Sequence, residues 1–222
     1  MLVNADFSRR VIVAPHQYRW AASPQAGVER VMLDRLGGEQ ARATSIVRYA
    51  PASCFPPHLH PEGEEILVLS GTFSEDGAHY PAGWYLRNPP GSSHSPSSRE
   101  GAIIFVKLRQ MRAGERRRVR VDTNDPAAWQ RRDGREICPL FVNDVEQVSL
   151  QRLAPREALF PAPSDSAELL VLAGEIEVEA RSHRYGSWMR LPKGKYPEIV
   201  SGAGGATVYL KTSRPASMTV KA

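Results

Sequence analysis

The sequence predicts an all-β protein that consists of two tandem β-barrels of the jelly-roll, or double-stranded β-helix, type. One observation is composition: 18 prolines and 17 glycines in 222 residues favour short strands and turns over long helices. The other is an internal repeat, in which each copy takes up about half of the chain. Closed barrels suit many short antiparallel strands, because closure removes exposed strand edges.

The repeat rests on two motifs that recur at the same distance. The run Glu65-Ile-Leu-Val-Leu-Ser-Gly71 returns as Glu168-Leu-Leu-Val-Leu-Ala-Gly174, 103 positions later. The segment from Gly83 to Gly91 returns as the segment from Gly186 to Gly194, again 103 positions later. Two motifs with one shared offset predict two copies of a single all-β module.

Each copy is predicted to form a series of short strands. Apolar and β-branched runs mark them, near residues 30–35, 43–49, 54–60, 64–70, 84–87 and 102–108 in the first copy and near 137–142, 145–153, 168–173, 187–191 and 206–211 in the second. The segment from Asn124 to Trp129 is expected to carry one helical turn. The predicted domains are a metal-binding barrel over 1–108, a basic linker over 109–136 and a second, degenerate barrel over 137–222.

Arginine supplies most of the net charge of +5 and is concentrated between Lys107 and Arg120. Such a run is usually a solvated connector, and a phosphate-binding patch is the alternative. No aromatic stacking platform or helix-turn-helix pattern accompanies it. Direct nucleic-acid binding is therefore not expected.

Other features of the sequence point to a cytoplasmic protein. No apolar run approaches the length of a membrane span, and the first residues do not resemble a signal peptide. Cys54 and Cys138 fit no disulfide framework or zinc motif. We expect a reducing, cytoplasmic location and no membrane partner; association into a homo-oligomer is left open.

Three histidines and a glutamate form the candidate site. His58 and His60 are two residues apart, so on a strand they share one face. Pro61-Glu62-Gly63 predicts a three-residue hairpin loop, across which Glu64 would face His60. His94 follows a Pro-Pro-Gly turn and is expected to complete the set from across the barrel.

Three nearby residues are alternatives to this set or additions to it. Cys54 shares the parity of the histidines, so it is predicted to point inward, as a small core residue or as a redox thiol. Glu62 and Glu65 compete with Glu64 for the role of carboxylate ligand. Glu65 has the wrong parity, and its counterpart Glu168 persists in the copy that has no ligands. Glu65 is therefore interpreted as structural.

Imidazole nitrogen with one carboxylate suits a divalent transition metal and not a magnesium or calcium cage. Four such ligands close a tetrahedral zinc site or leave positions open on iron, manganese or nickel. The second copy replaces the four residues by side chains that do not bind metals, Pro161, Pro163, Ala167 and Pro197. One metal per chain, held in the first barrel, is the prediction.

These residues resemble the cupin pattern. The first cupin motif corresponds to His58, His60, Glu64 and Gly71, and the second to Gly83, Pro89, Gly91 and His94. A narrower likeness, over residues 20–108, is to ChrR-like cupins, the C-terminal domain of the ChrR anti-sigma factor. The resemblance implies that His58, His60, Glu64 and His94 are the metal ligands.

The resemblance also implies a function. The ChrR protein is a zinc-binding regulator of an ECF sigma factor, so we expect a stress-response or transcriptional regulator or sensor, with zinc first and iron, manganese or nickel as alternatives. An ECF sigma factor or a small-molecule ligand is the expected partner. The sequence lacks the His-x-x-x-Cys-x-x-Cys motif of the domain that grips the sigma factor. The alternative is a metal-dependent dioxygenase for a small dicarbonyl or aromatic compound, for which no catalytic base can be assigned.

Overall fold

The computed structural model describes residues 1–38, 40–160 and 165–213. In these residues the regular secondary structure is almost entirely β-strand, as predicted, with two short 3₁₀ helices at Pro15–Gln17 and Pro126–Ala128. The second of these is the helical turn expected between Asn124 and Trp129. None of the described helices is long and apolar enough to cross a membrane.

The strands follow one another in short steps along the chain. The first thirteen are β1 (Leu2–Val3), β2 (Val11–Val13), β3 (Trp20–Ala22), β4 (Val28–Leu36), β5 (Arg42–Tyr49), β6 (Ser53–Cys54), β7 (His58–His60), β8 (Glu64–Glu75), β9 (Ala78–Pro81), β10 (Trp84–Asn88), β11 (Ser92–His94), β12 (Pro96–Ser98) and β13 (Ala102–Leu108). The others are β14 (Val119–Asp122), β15 (Gln130–Arg132), β16 (Arg135–Val142), β17 (Glu146–Leu153), β18 (Ala167–Val178), β19 (Arg181–Arg184), β20 (Trp188–Leu191) and β21 (Val200–Ser213).

The main sheets of the two copies have equivalent strand orders. In the first, β4-β5-β13-β8-β10-β14 are neighbours, and in the second β16-β17-β21-β18-β20-β2 are neighbours. All of these pairings are antiparallel. The two-module, jelly-roll-type prediction is thereby confirmed in its strand order.

The compact units differ from the sequence boundaries at 108 and 136. One unit comprises Met1–Ala5 and Tyr18–Asp125, and the other comprises Asp6–Gln17 and Pro126–Ala222. The reason is sheet completion: β14, from the predicted linker, pairs with β10, and β2, from near the N-terminus, pairs with β20. Each added strand covers an otherwise open edge, so much of the predicted linker belongs to the first barrel.

Each barrel has its own apolar core. The first core includes Ile66, Phe73 and Leu86, packed with residues of β13. The second core includes Leu169, Val171, Met189 and Val208.

The repeated glycines have a steric reason. Gly71 adopts φ +68°, and a Cβ added there would lie 2.0 Å from the carbonyl oxygen of Gly101. Gly174 repeats this geometry with φ +66° and 2.2 Å to the oxygen of Gly205. No side chain fits such a separation, so glycine is required in both copies.

Candidate metal centre

Strand pairing places His94 directly opposite His58. In the two-stranded ladder of β11 and β7, His94 pairs with His58 and Ser92 pairs with His60. The predicted turn exists, since the Gly63 N–H donates to the His60 carbonyl at 3.2 Å. The predicted hairpin pairing is wrong, because β7 pairs with β11 while β8 pairs with β10 and β13.

The four predicted side chains converge all the same. The Nε2 atoms of His60 and His94 are 2.9 Å apart. The Oε2 atom of Glu64 lies 3.5 Å from Nε2 of His60 and 3.4 Å from Nε2 of His94. His58 joins the other two histidines in a group whose ligand atoms all lie within 4.8 Å of one another.

Hydrogen bonds at the far side of two rings fix which nitrogen faces the cluster. Nδ1 of His58 lies 3.0 Å from the carbonyl oxygen of Pro56, and Nδ1 of His94 lies 2.5 Å from Oε2 of Glu75. Both partners are acceptors, so each Nδ1 carries the proton and each Nε2 presents a lone pair to the cluster. Lone pairs and a carboxylate that converge with no donor between them fit a cation at this point.

Glu75 is a site residue that sequence reasoning missed. Besides His94, it accepts from Asn88 Nδ2 at 3.3 Å and from the guanidinium of Arg120. Asn88 also donates to Glu64 at 3.3 Å, so one amide orients both carboxylates. Arg120 itself donates to the Asn88 side-chain oxygen at 2.7 Å.

A signal for this network was present in the repeat. At the 103-residue offset, Glu75 and Asn88 correspond to Val178 and Leu191, both of which are buried apolar residues. The polar members therefore change to apolar ones in the same copy that lacks the ligands. Arg120 had no such signal, because it lies within the run of arginines. Arg116, Arg117 and Arg118 of that run are exposed, as predicted for a solvated connector.

The network shifts several pKa values. Burial raises the pKa of Glu75, but its hydrogen bond to His94 and the charge of Arg120 outweigh burial and lower the pKa to about 2. Burial lowers the pKa of His94, yet the hydrogen bond to Glu75 and the charge of Glu64 raise it above its ordinary value. The pKa of His60 is lowered, chiefly by burial.

The cluster borders a cavity of about 350 Å³ inside the first barrel. His58, His60 and Glu64 line it, together with an apolar wall that includes Tyr49 and Ile104. Arg30 and Arg35 of β4 also line it, and the sequence did not mark either as a site residue. Both belong to the short apolar run between charges that predicted a strand.

The other candidate residues of the sequence lie outside the cluster. Cys54 is exposed, so the inward prediction was wrong. The strand is interrupted between Cys54 and His58, and alternation does not carry across the break. Glu62 is exposed and pairs with Arg109 at 3.0 Å. Glu65 is buried and pairs with Arg87 at 3.0 Å, which is consistent with a structural role.

The corresponding place in the second barrel is apolar where it is described. Ala167 is buried in the core cluster. It begins β18, which lies between β20 and β21 in the sheet. Pro161 and Pro163 lie outside the described residues. Within 1–38, 40–160 and 165–213, the only group of three or more His, Cys, Asp or Glu residues with metal-binding geometry is that of His58, His60 and His94.

Comparison with known proteins agrees with this fold. Residues 8–112, just under half of the chain, match the family model of the ChrR cupin-like domain. No curated protein sequence matches the chain significantly.

Several solved structures share the fold at low sequence identity. A "putative dioxygenase" from Nostoc punctiforme is 16% identical with a TM-score of 0.75, and the match covers 96% of this chain and 85% of that one. The bacterial pirin YhhW from Escherichia coli, in complex with nickel(II), is 14% identical with a TM-score of 0.65, covering 93% and 99%. A cupin 2 conserved barrel domain protein from Leptotrichia buccalis is 14% identical with a TM-score of 0.59, covering 87% and 92%. Residues 8–112 are therefore similar to a ChrR cupin-like domain, and the chain shares the fold of these solved structures.

Proposed function

We propose that His58, His60, Glu64 and His94 hold one divalent transition metal and that the protein uses it on a small molecule in the adjoining cavity. The convergence of Nε2 of His60, Nε2 of His94 and Oε2 of Glu64 within 3.5 Å supports the ligand set. Glu75 and Pro56 hold the two outer Nδ1 protons, the usual arrangement behind metal-bound histidines.

The cavity favours a reactive metal over a structural one. A structural zinc site is closed by four protein ligands, whereas a catalytic site keeps a position open. Here three of the four proposed ligands line a 350 Å³ space, so a small molecule inside it would meet the metal. When bound, the metal would supply Lewis acidity or a site for O₂.

A metal-dependent enzyme of dioxygenase type is accordingly the function that the geometry supports best. The chain itself contributes orientation and water exclusion. Glu75 fixes the ring of His94, Asn88 orients Glu64, and the wall formed by residues such as Tyr49 and Ile104 excludes water from a bound molecule. Nickel, iron or manganese would fit this activity.

A regulatory role is the second candidate, and the match to the ChrR cupin-like domain over residues 8–112 favours it. In that case zinc would be bound, and occupancy of the cavity would alter the contact with a protein partner such as an ECF sigma factor. Co-purification of an ECF sigma factor with the tagged chain would support this role. Bound zinc that gives no turnover would also support it over the enzyme.

Metal analysis of purified protein tests the proposal. We expect one tightly bound transition metal per chain, loss of most of it in His94→Ala, and retention in His79→Ala. His79 is a matched control, because its Nδ1 contacts Ser74 Oγ at 2.9 Å and it lies outside the cluster. Two tight ions per chain, or equal metal content in His94→Ala and wild type, would contradict the proposal.

Activity is tested with metal-loaded protein in an oxygen electrode, with small dicarbonyl and aromatic compounds as substrates. Oxygen uptake that His94→Ala abolishes and His79→Ala retains supports the enzyme. Uptake that is unchanged in His94→Ala would remove the metal from the reaction.

A further inference from the structure

A second cavity, of about 620 Å³, lies within the second compact unit. Its lining comes from residues between 12 and 17 and between 178 and 187. Ala167 and Pro197, which occupy the positions of Glu64 and His94, do not line it. The cavity is therefore separate from the space that corresponds to the metal cluster, and its volume is typical of a small-molecule site.

Comparison of the two copies explains why this space is open. At the 103-residue offset, His183 and Ser187 correspond to Tyr80 and Trp84. The rings of Tyr80 and Trp84 pack edge to face with 5.3 Å between their centroids, and both pack against the first core. Their smaller, polar counterparts both line the cavity of the second barrel. The cavity thus lies where the first barrel has an aromatic pair.

The neighbouring strand shows the same loss of bulk. Arg120 of β14 lies opposite Leu86, and Ile12 of β2 lies opposite the equivalent Met189. The guanidinium of Arg120 lies 5.4 Å from the centre of the Tyr80 ring and donates to its hydroxyl at 3.1 Å. Ile12 is shorter and packs against the second core instead. A connected group of three large side chains therefore has three smaller counterparts, which leave a space in an otherwise close-packed fold.

Ser187 places a hydrogen-bonding group at this cavity. The residue is 1% exposed, and in the part of the chain that the structure describes its Oγ has no hydrogen-bond partner. A buried hydroxyl without a partner has lost its hydration and gained nothing in return, so such groups are rare. A polar atom of a bound molecule would supply the missing partner.

His183 provides a second polar group and a flat ring. Burial first, and then the nearby Arg181 and His16, lower the pKa of His183. Its imidazole is therefore neutral at pH 7 and offers one donor, one acceptor and an aromatic face.

The charged side chains at the rim of the cavity are matched with one another. Glu179 forms an ion pair with Arg10, and Arg184 pairs with Glu175 at 3.2 Å. The charge of Arg181 also lowers the pKa of Glu179. An ionic ligand would compete with these interactions, whereas a neutral ligand leaves them intact.

We propose that this cavity binds a small neutral aromatic compound, whose ring takes the place of the Tyr80–Trp84 pair and whose polar edge hydrogen-bonds to Ser187 and His183. Aromatic rings pair favourably in edge-to-face geometry, and the imidazole serves as one partner. A volume of 620 Å³ equals about twenty water molecules at ~30 Å³ each, which accommodates one or two rings. The inference goes beyond the proposed function, because it assigns a second site that needs no metal.

Binding is tested on the full chain by NMR, with phenol, indole and 2-naphthol as probes. The imidazole signals of His183 report on this cavity, and those of His58 report on the cavity beside the metal cluster. We expect the three probes to shift the His183 signals saturably. Cyclohexanol, which has no aromatic ring, and benzoate, which is charged, should bind at least about threefold more weakly than phenol.

Two substitutions of Ser187 test the site. Ser187→Trp restores the side chain of the first barrel and should abolish the shift, and Ser187→Ala should weaken binding by about two- to tenfold. Because Ser187→Ala removes an unpartnered hydroxyl, it should not lower the free energy of unfolding of the ligand-free protein. Ser166→Ala is the control, since Ser166 Oγ already pairs with Ser213 Oγ at 2.6 Å. Ser187→Ala carries the test if Ser187→Trp does not fold.

Circular dichroism establishes that the variants are folded. Binding is also measured with chelator-treated protein and with His94→Ala, in which it should be unchanged. The proposal is overturned if no probe shifts His183, if the shift survives in Ser187→Trp, or if Ser187→Ala binds as tightly as wild type. Tighter binding of benzoate than of phenol, or loss of binding in His94→Ala, would likewise refute a neutral-ligand site in the second barrel.

Discussion

Nδ1 of His94 and Oε2 of Glu75 lie 2.5 Å apart, both nearly inaccessible to solvent. The contact orients the imidazole of a proposed metal ligand and leaves its Nε2 facing His60. Glu75 is in turn held by Arg120, so a residue from beyond the first predicted barrel supports the cluster. Outer partners of this kind commonly govern metal affinity.

Replacing Glu75 should weaken metal binding without removing any ligand. We expect Glu75→Gln to lower the metal affinity by about 10–100-fold, because a neutral amide replaces the ionised acceptor that orients the ring of His94 and raises its basicity. Competition calorimetry at pH 7 measures the change. Glu62→Gln is the matched control, since Glu62 is exposed and pairs with Arg109. Equal affinities in wild type and Glu75→Gln would refute the supporting role.

Glu75 should also make stability depend on acid pH. Its folded pKa of about 2 is below the ordinary value of 4.5. A lowered pKa means that ionised Glu75 stabilises the fold fully above about pH 4.5 and loses this effect as pH falls towards 2. Urea unfolding of metal-free protein should therefore show a difference between wild type and Glu75→Gln that shrinks from pH 6 to pH 3. A difference that stays constant over this range would argue against the assignment.

The buried ion pair of Glu65 and Arg87 should be costly to break. Both side chains are almost fully buried, at 4% and 1% exposed, and they are paired at 3.0 Å. Removing one partner leaves a buried charge, so Glu65→Gln or Arg87→Met should lower the free energy of unfolding by about 3–5 kcal/mol. The exposed pair of Arg48 and Glu29 is the control, where Glu29→Gln should cost about 1 kcal/mol or less.

A double variant tests whether Glu65 and Arg87 contribute to stability as a pair or independently. Glu65→Gln combined with Arg87→Met should cost less than the sum of the two single changes, because the double variant also removes the charge that each single change leaves without this partner. Strict additivity in urea unfolding would show that the two residues act independently.

The two cysteines should react very differently. Cys54 is exposed, whereas burial raises the pKa of Cys138 to about 11. Since the thiolate is the reactive form, Cys138 is protonated as well as covered at pH 8. Titration with a disulfide reagent should modify one thiol quickly in native protein and two in urea, and Cys54→Ser should abolish the fast phase. Two fast thiols in the native wild-type protein would be inconsistent with this structure.

Local spacing in the sequence was enough to predict the repeated fold and the approach of His58, His60 and Glu64 to one another. His58 and His60 share a strand face, Glu64 follows one turn later, and these relations span few residues, so chain geometry alone constrains them. The positions of Glu64 and His94 are occupied by Ala167 and Pro197 in the second copy, which assigned the candidate site to the first barrel. Comparison of the two copies could also have predicted Glu75, the residue that supports His94. Its equivalent in the copy without the candidate ligands is the apolar Val178.

Tertiary structure alone decided the partners that lie far apart along the chain. The pairing of β7 with β11, instead of with β8, depends on hydrogen bonds between segments more than thirty residues apart. Arg30 and Arg35 share the cavity only because a bulge shifts the register by one residue, which a sequence pattern does not record. The pairing of β14 with β10, which brings Arg120 to Glu75, likewise depends on which sheet edge remained open. The same holds for the pairing of β2 with β20. Short-range spacing predicted that His58, His60 and Glu64 lie together, whereas long-range strand pairing brought His94 to them and determined what surrounds the group.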